Sequence, residues 1–200
     1  MKGPEKGSPD SLLFDFDGVL ADTERAHHLA WNAVLEPSGI QFTWDQYVKE
    51  CIGIADAMVA ERLGLPGAAE VCERKRARFR QELEERPPFL PVTVELLREL
   101  ATRYRMAVVS SSFHSEVRPP LERAGLLPLF ETVVCGDDAQ RLKPAPDPYL
   151  RAAELLHSTR PLVVEDSDAG VASAKAAGFE FVRIASAAEL ARAVRNALRM

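Results

Sequence analysis

Asp15 and Asp17 stand two residues apart, where the apolar run 12–16 gives way to Gly18. A carboxylate in such a place can attack phosphorus, and a second acid two residues on can protonate the leaving oxygen and then activate water. Three more groups of complementary chemistry follow. Ser110-Ser111-Ser112 closes the apolar run 106–109 with hydroxyls and turn amides able to hold anionic oxygens. Lys143 lies in Arg141-Leu142-Lys143-Pro144, a loop stiffened by prolines, and Glu165-Asp166-Ser167 follows the apolar residues 162–164. Taken singly, each has a plain reading as a loop start, a cap or a solvated charge. Together they deliver a nucleophile, an acid/base, phosphate clamps and oxygen ligands for a hard cation such as Mg²⁺ from four apolar runs.

The elements that must position these residues alternate. The run 12–16 reads as a buried strand. A helical stretch over 23–86 follows, with stops at Pro37, Gly64 and Pro87-Pro88 and a capping box at Thr43-Trp44-Asp45-Gln46. Beyond Pro91, helices over 92–103 and 169–177, one opened by Asp147-Pro148 and a final one opened at Ser186 alternate with strands over 106–109, 132–135, 162–164 and 181–184. Pro119-Pro120 places the start of one further helix late, near Arg118. Asp147-Pro148 reads as an N-cap with proline at the first helical position, and Ser186-Ala187-Ala188-Glu189 as a capping box. The pattern predicts an α/β fold, a Rossmann-like parallel sheet with helices on both faces, interrupted by an all-helical insert. Ligands of such sheets bind outside the carboxyl ends of the strands, where the four groups fall.

Composition narrows the partners. With 46% hydrophobic and 28% charged residues, the 200-residue chain has the make-up of a folded domain. A net charge of −5 gives no global basic field for nucleic acid or anionic lipid, so a small phosphorylated metabolite is the expected partner, without nucleic acid or membrane. Three dispersed cysteines in no C-x-x-C pair give neither a disulfide framework nor a structural zinc site, and the N-terminal residues have no signal-peptide core; a cytoplasmic monomer is expected.

With these residues placed, the chain resembles the haloacid dehalogenase superfamily, in its helical-cap branch of β-phosphoglucomutases, phosphoglycolate phosphatases and sugar-phosphate phosphatases. Asp15-Phe16-Asp17-Gly18-Val19-Leu20 is similar to the first motif of that family, Ser110 to its second, Lys143 to its third and Glu165-Asp166 to its fourth. The resemblance implies that Asp15 is the nucleophile and Asp17 the general acid/base and a metal ligand through its carbonyl. It implies that Ser110 and Lys143 clamp phosphate, and that Asp15, Asp17, Glu165 and Asp166 hold Mg²⁺. It also implies a catalytic core over 1–22 and 89–200, and a cap over 23–88 that closes about hinges near Asp22-Thr23 and Pro87–Pro91. The linker reads Pro91-Val92 where the family commonly has Pro-Gly.

Asp17 argues for phosphoesters, because the dehalogenases that resemble this chain lack the second acid and the metal. Substrate-binding candidates are Ser111, His27, Trp31, Gly53 and Lys75; His27, Trp31 and Lys75 line up with mutase positions for acid/base control and sugar binding. His27 and Trp31 also have plain readings as core residues, and Lys75 as part of a solvated basic face over 74–80. Asp56 stands where the mutase resemblance calls for an arginine that grips a second phosphate, and an anion there disfavours retaining a bisphosphate. The expectation is therefore a Mg²⁺-dependent phosphatase acting through an aspartyl-phosphate. The alternatives are a phosphohexomutase and a non-catalytic sugar-phosphate-binding module.

Overall fold

The apolar runs of the sequence become short strands because β-branched and aromatic side chains pack on both faces of a buried parallel sheet. In the computed structural model, which describes residues 8–52 and 54–200, β1 (Ser11–Phe14) leads into four helices, α1 (Glu24–Leu35), α2 (Trp44–Glu50), α3 (Asp56–Arg62) and α4 (Ala68–Glu85). The chain then alternates through α5 (Pro91–Ala101), β2 (Arg105–Val109), α6 (His114–Arg123), β3 (Thr132–Val134) and α7 (Asp147–Leu155). It ends with β4 (Pro161–Glu165), α8 (Asp168–Ala176), β5 (Glu180–Arg183) and α9 (Leu190–Leu198). The five strands form one parallel sheet in the order β3-β2-β1-β4-β5.

Two compact units divide the chain, one made of Met1–Asp22 with Phe89–Met200 and the other of Thr23–Pro88. In the sheet unit, strand alternation sorts the core into two layers. Leu12, Phe14, Met106, Val108 and Val164 pack against Leu96, Leu97 and Leu100 of α5, Val117 and Leu121 of α6, and Val194 of α9. Leu13, Ala107, Val109 and Val163 face Tyr149 and Ala152 of α7 and Ala174 of α8. The helical unit has its own core around Trp31, Leu35, Phe42, Tyr47, Val59 and Cys72.

Local signals mostly hold, with instructive departures. The capping box at Thr43 forms, Gln46 N–H donating to Thr43 Oγ1 at 3.3 Å and Thr43 N–H to Gln46 Oε1 at 2.9 Å. The helix expected to begin near Arg118 begins at His114 instead, with Pro119 and Pro120 inside it. Glu116 fixes that start by turning back to accept the Phe113 N–H at 3.1 Å. Pro119 removes the donor that would have served the carbonyl of Ser115, an exposed residue. Asp147 is the first helical residue of α7 rather than its cap, and Pro148 the second. No capping box forms at Ser186, because Glu189 accepts from Ala185 N–H at 3.1 Å and a 3₁₀ turn precedes α9. Among the described residues, no helix is long and apolar enough to cross a membrane.

Candidate active site

Parallel register brings the strand ends abreast. Phe14 pairs with Val108 on one side and Val164 on the other, so Asp15 emerges beside Val109 and Glu165. The ladder continues past the strands, with Asp15 N–H donating to Val164 O at 3.0 Å and Ser110 N–H to Val134 O at 2.9 Å. Asp15 and Glu165 share the parity of Leu13 and Val163, which directs both toward the α7–α8 layer.

Lys143 reaches into that layer from the loop before α7. Its ammonium donates to Asp15 Oδ1 at 2.6 Å, Glu165 Oε1 at 2.6 Å and Val109 O at 2.9 Å. All three donors of the ammonium are thus engaged. Burial works against the lysine charge, yet Asp15 and Glu165 outweigh it and hold its pKa well above the ordinary lysine value. Asp15 is shifted the other way: burial, joined by Glu165, Asp166 and Asp17, lifts its pKa well above the usual carboxylate range despite the attraction of Lys143.

Glu165 is fully buried and saturated. Oε1 accepts from Lys143 and from Tyr149 OH at 2.8 Å, while Oε2 accepts from Asp166 N–H at 3.0 Å and from Ser167 N–H and Oγ at 3.2 Å. Burial opposes its charge, and these donors prevail, so its pKa is lowered. Ser167 then caps α8, its Oγ accepting Gly170 N–H at 3.0 Å. A Cβ on Gly170 would lie 1.7 Å from Glu165 Oε1, so only glycine leaves room for that carboxylate.

Asp17 sits in the turn after β1, where Gly18 N–H donates to Ala21 O at 2.8 Å. Its Oδ2 accepts from Ser112 Oγ at 2.8 Å and from Ser110 Oγ at 3.4 Å, and Ser110 Oγ in turn accepts Ser112 N–H at 3.0 Å. Ser111 lies in the same turn, its carbonyl oxygen packed where a Cβ on Gly136 would be, at 2.4 Å. The structure therefore brings Asp15, Lys143 and Glu165 into one group and Asp17, Ser110 and Ser112 into another, both at the carboxyl edge of the sheet.

Carboxylate oxygens of Asp15, Glu165 and Asp166 all lie within 4.8 Å of one another. Asp15, Asp17, Glu165 and Asp166 gather at this edge, where the ammonium of Lys143 meets Asp15 and Glu165. An all-oxygen donor set with surplus negative charge suits a hard divalent cation, so the residues present fit one. Glu165 is set apart from the other two by its five internal donors, which leave Asp15 and Asp166 as the carboxylates better placed to ligate.

A family model described as haloacid dehalogenase-like hydrolase matches residues 12–184, which include all of these groups. The chain belongs to the haloacid dehalogenase-like hydrolases. Among relatives in this family, the fructose-1-phosphate phosphatase YqaB of Escherichia coli is 30% identical over 179 residues, covering 86% of this chain and 95% of that one. A phosphorylated carbohydrates phosphatase of Thermotoga maritima is 32% identical over 186 residues, covering 86% and 82%. The crystal structure of CbbY from Rhodobacter sphaeroides in complex with phosphate superposes with a TM-score of 0.78 at 26% identity, covering 88% of this chain and 86% of that one.

The helical unit of this dehalogenase-like hydrolase holds a second polar group. Lys75, expected on a solvated basic face, is 2% exposed. Its Nζ lies 2.7 Å from His27 Nδ1 and 3.0 Å from each oxygen of Asp56, beside the rings of Phe79 and Trp31. An ammonium can only donate, so His27 accepts at Nδ1 and carries its proton on Nε2. His27 is buried and stacks on Phe79 at 3.9 Å between ring centroids. Trp31, a substrate-binding candidate, is instead 1% exposed and part of the apolar core, because its indole fills the space between α1 and its neighbours. Gly53 lies outside the described residues.

Sequence reasoning missed Tyr149 and Ser112. Tyr149 falls on the inward face of α7 with Ala152 and Ala153, so periodicity marks it as core; its hydroxyl needs a buried partner, and that need was the available signal. Ser112 was visible within the hydroxyl cluster, but nothing in sequence separates it from its two neighbours.

Proposed function

We propose that this chain is a Mg²⁺-dependent phosphatase of small sugar phosphates that works through an aspartyl-phosphate on Asp15. The observation that carries the reading is the pairing of Asp15 with Lys143 while Asp17, two residues on, is held by the hydroxyls of Ser110 and Ser112. The phosphatase names of the YqaB and Thermotoga relatives support the substrate class.

Lys143 holds Oδ1 of Asp15 and leaves Oδ2 to attack phosphorus. As the phosphorus–oxygen ester bond breaks, Asp17 gives its proton to the leaving alkoxide, and an alcohol departs. Asp17, now a carboxylate, takes a proton from water, whose oxygen attacks the phosphorus of the acyl phosphate; inorganic phosphate leaves and Asp15 is restored. Lys143 and Ser110 neutralise charge on the phosphoryl oxygens. Asp15, Asp166 and the Asp17 carbonyl would hold Mg²⁺, which when bound offsets the acids and polarises the phosphoryl group. Glu165 keeps Lys143 and the start of α8 in place.

Phosphatase is preferred to phosphohexomutase because Asp56 engages Lys75 with both oxygens. That cation is committed to an acid and an imidazole within the helical unit, which supports release over capture of a second phosphate. The test is phosphate release from a panel of sugar phosphates, phosphoglycolate and a chromogenic ester, with Mg²⁺ or chelator. Release abolished by chelator is expected; isomerisation of β-glucose 1-phosphate without phosphate release would establish the mutase instead. Binding of sugar phosphates without turnover would leave the non-catalytic module.

A further inference from the structure

A second group of metal-ligating side chains lies at the end of β3, and the reaction proposed above does not use it. His114, Cys135, Asp137 and Asp138 each offer one ligand atom, and these atoms all lie within 4.8 Å of one another. They come from two segments, the first turn of α6 and the loop that follows β3. Cys135 is fully buried, His114 is partly covered, and the two aspartates are exposed. The thiol thus forms the floor and the carboxylates the open mouth of a small site, with an entry route from solvent.

The polar contacts already draw these residues together. His114 Nε2 lies 2.7 Å from Asp138 Oδ2, and the same oxygen accepts Cys135 N–H at 2.8 Å. Asp137 Oδ1 accepts the backbone N–H of His114 at 3.1 Å. The other ring nitrogen, His114 Nδ1, is a buried polar atom with no hydrogen-bond partner.

We propose that His114, Cys135, Asp137 and Asp138 form a binding site for a borderline divalent cation of the zinc class, distinct from the all-oxygen group around Asp15. The donor types decide the class. One nitrogen, one sulfur and two carboxylate oxygens make the four-coordinate set that zinc favours, whereas magnesium has no use for thiolate. Binding releases the Cys135 proton to solvent and replaces the His114–Asp138 contact with two metal–ligand bonds. Its consequence is mechanical. The neighbouring Gly136 N–H already donates to Ser112 O at 2.8 Å, and Ser112 Oγ holds Asp17. A cation tying His114 to the 135–138 loop therefore pins the turn that carries Ser110 and Ser112.

Cobalt(II) tests this on the intact protein, because a thiolate–cobalt bond gives a near-ultraviolet charge-transfer band that oxygen ligands do not. With the Asp15 group saturated by excess Mg²⁺, one equivalent of Co²⁺ is expected to produce the band and Zn²⁺ to abolish it. The band should disappear in Cys135→Ser and persist in Cys51→Ala and Cys72→Ala. His114→Gln, a change at a partly exposed position, should weaken Co²⁺ binding by about tenfold or more. This variant decides the matter should Cys135→Ser fail to fold. Absence of the band in the native protein, its survival in Cys135→Ser, or unchanged affinity in His114→Gln would overturn the proposal. None of these readouts depends on phosphatase activity.

Discussion

A methyl group placed on Gly18 would stand 2.1 Å from Oδ2 of Asp166, a residue that reaches the same edge from β4. Gly18 also has φ +76°, which an L side chain adopts only with strain. The turn after β1 and the acid after β4 are therefore fitted to each other through the absence of a Cβ. Gly18→Ala is expected to push the Asp166 carboxylate aside, weakening Mg²⁺ binding and lowering turnover while the enzyme stays folded. Activity titrated against Mg²⁺ checks this, and an unchanged half-saturation point would contradict it.

Asp15→Asn removes the proposed nucleophile and should reduce phosphate release by on the order of 10³-fold or more. Asp17→Asn should cost about 10²–10⁴-fold, the range for a lost general acid/base. Single-turnover assays with a chromogenic ester separate the two. Because the chromogenic leaving group needs little protonation, an acyl-phosphate should accumulate in Asp17→Asn, which lacks the base for its hydrolysis, and none should form in Asp15→Asn; turnover undiminished in Asp15→Asn would remove the mechanism.

Burial and the neighbouring acids raise the pKa of Asp15, so its charge opposes folding. Below the ordinary value of 3.8 both folded and unfolded chains are protonated there and nothing is lost. As pH rises past that value the unfolded chain ionises first, and stability falls until the raised folded pKa is passed. At pH 7 in chelator, Asp15→Asn should therefore melt above the native protein, by about 2–4 °C for each kcal/mol recovered. Added Mg²⁺ should narrow the gap by stabilising only the native sequence. Differential scanning calorimetry with and without the metal reads both effects.

Tyr149→Phe keeps the ring 4.8 Å from the Lys143 ammonium and deletes the hydroxyl that serves Glu165. A lost hydrogen bond to a charged group costs about 1.5–3 kcal/mol. The lowered pKa of Glu165 means that its stabilisation is present above the ordinary value of 4.5 and lost as pH falls through the folded value. Without the tyrosine donor that folded value moves up, so acid unfolding should begin at higher pH than in the native protein. Circular dichroism followed down the pH scale measures the displacement.

Lys75→Met preserves the apolar stem beside Phe79 and Trp31 but removes the ammonium that meets His27 Nδ1 and Asp56. Urea unfolding should show a loss of about 1–3 kcal/mol, the cost of deleting hydrogen bonds made by a charged group. A solvated lysine on a basic face would give a change near zero.

Much of this molecule was legible in the chain because its signals are local. Alternating apolar runs and helix stops gave the parallel α/β order, and hydrophobic sorting along β1, β2 and β4 explains why it holds. The polar residues following those runs marked the candidate site, since a parallel sheet presents its carboxyl ends on one edge. Pro119 and Pro120 misled the reading of α6, because a back-bond from Glu116 outweighed two missing donors in a partly exposed turn. Lys75 misled it too: charge suggests exposure, while burial depends on whether a histidine and an aspartate meet the ammonium, which composition does not encode.

The sequence by itself determined the residue types and the order in which they arrive: Asp15 and Asp17, the serine run, Lys143, then Glu165 and Asp166. Only the tertiary structure decided which atoms meet. Lys143 is 128 residues from Asp15, yet donates to it at 2.6 Å. Glu165 spends both oxygens on internal donors, and Ser112 rather than Ser111 holds Asp17. Those choices follow from strand register, side-chain parity and room left by glycines, all of which are properties of packing between distant segments.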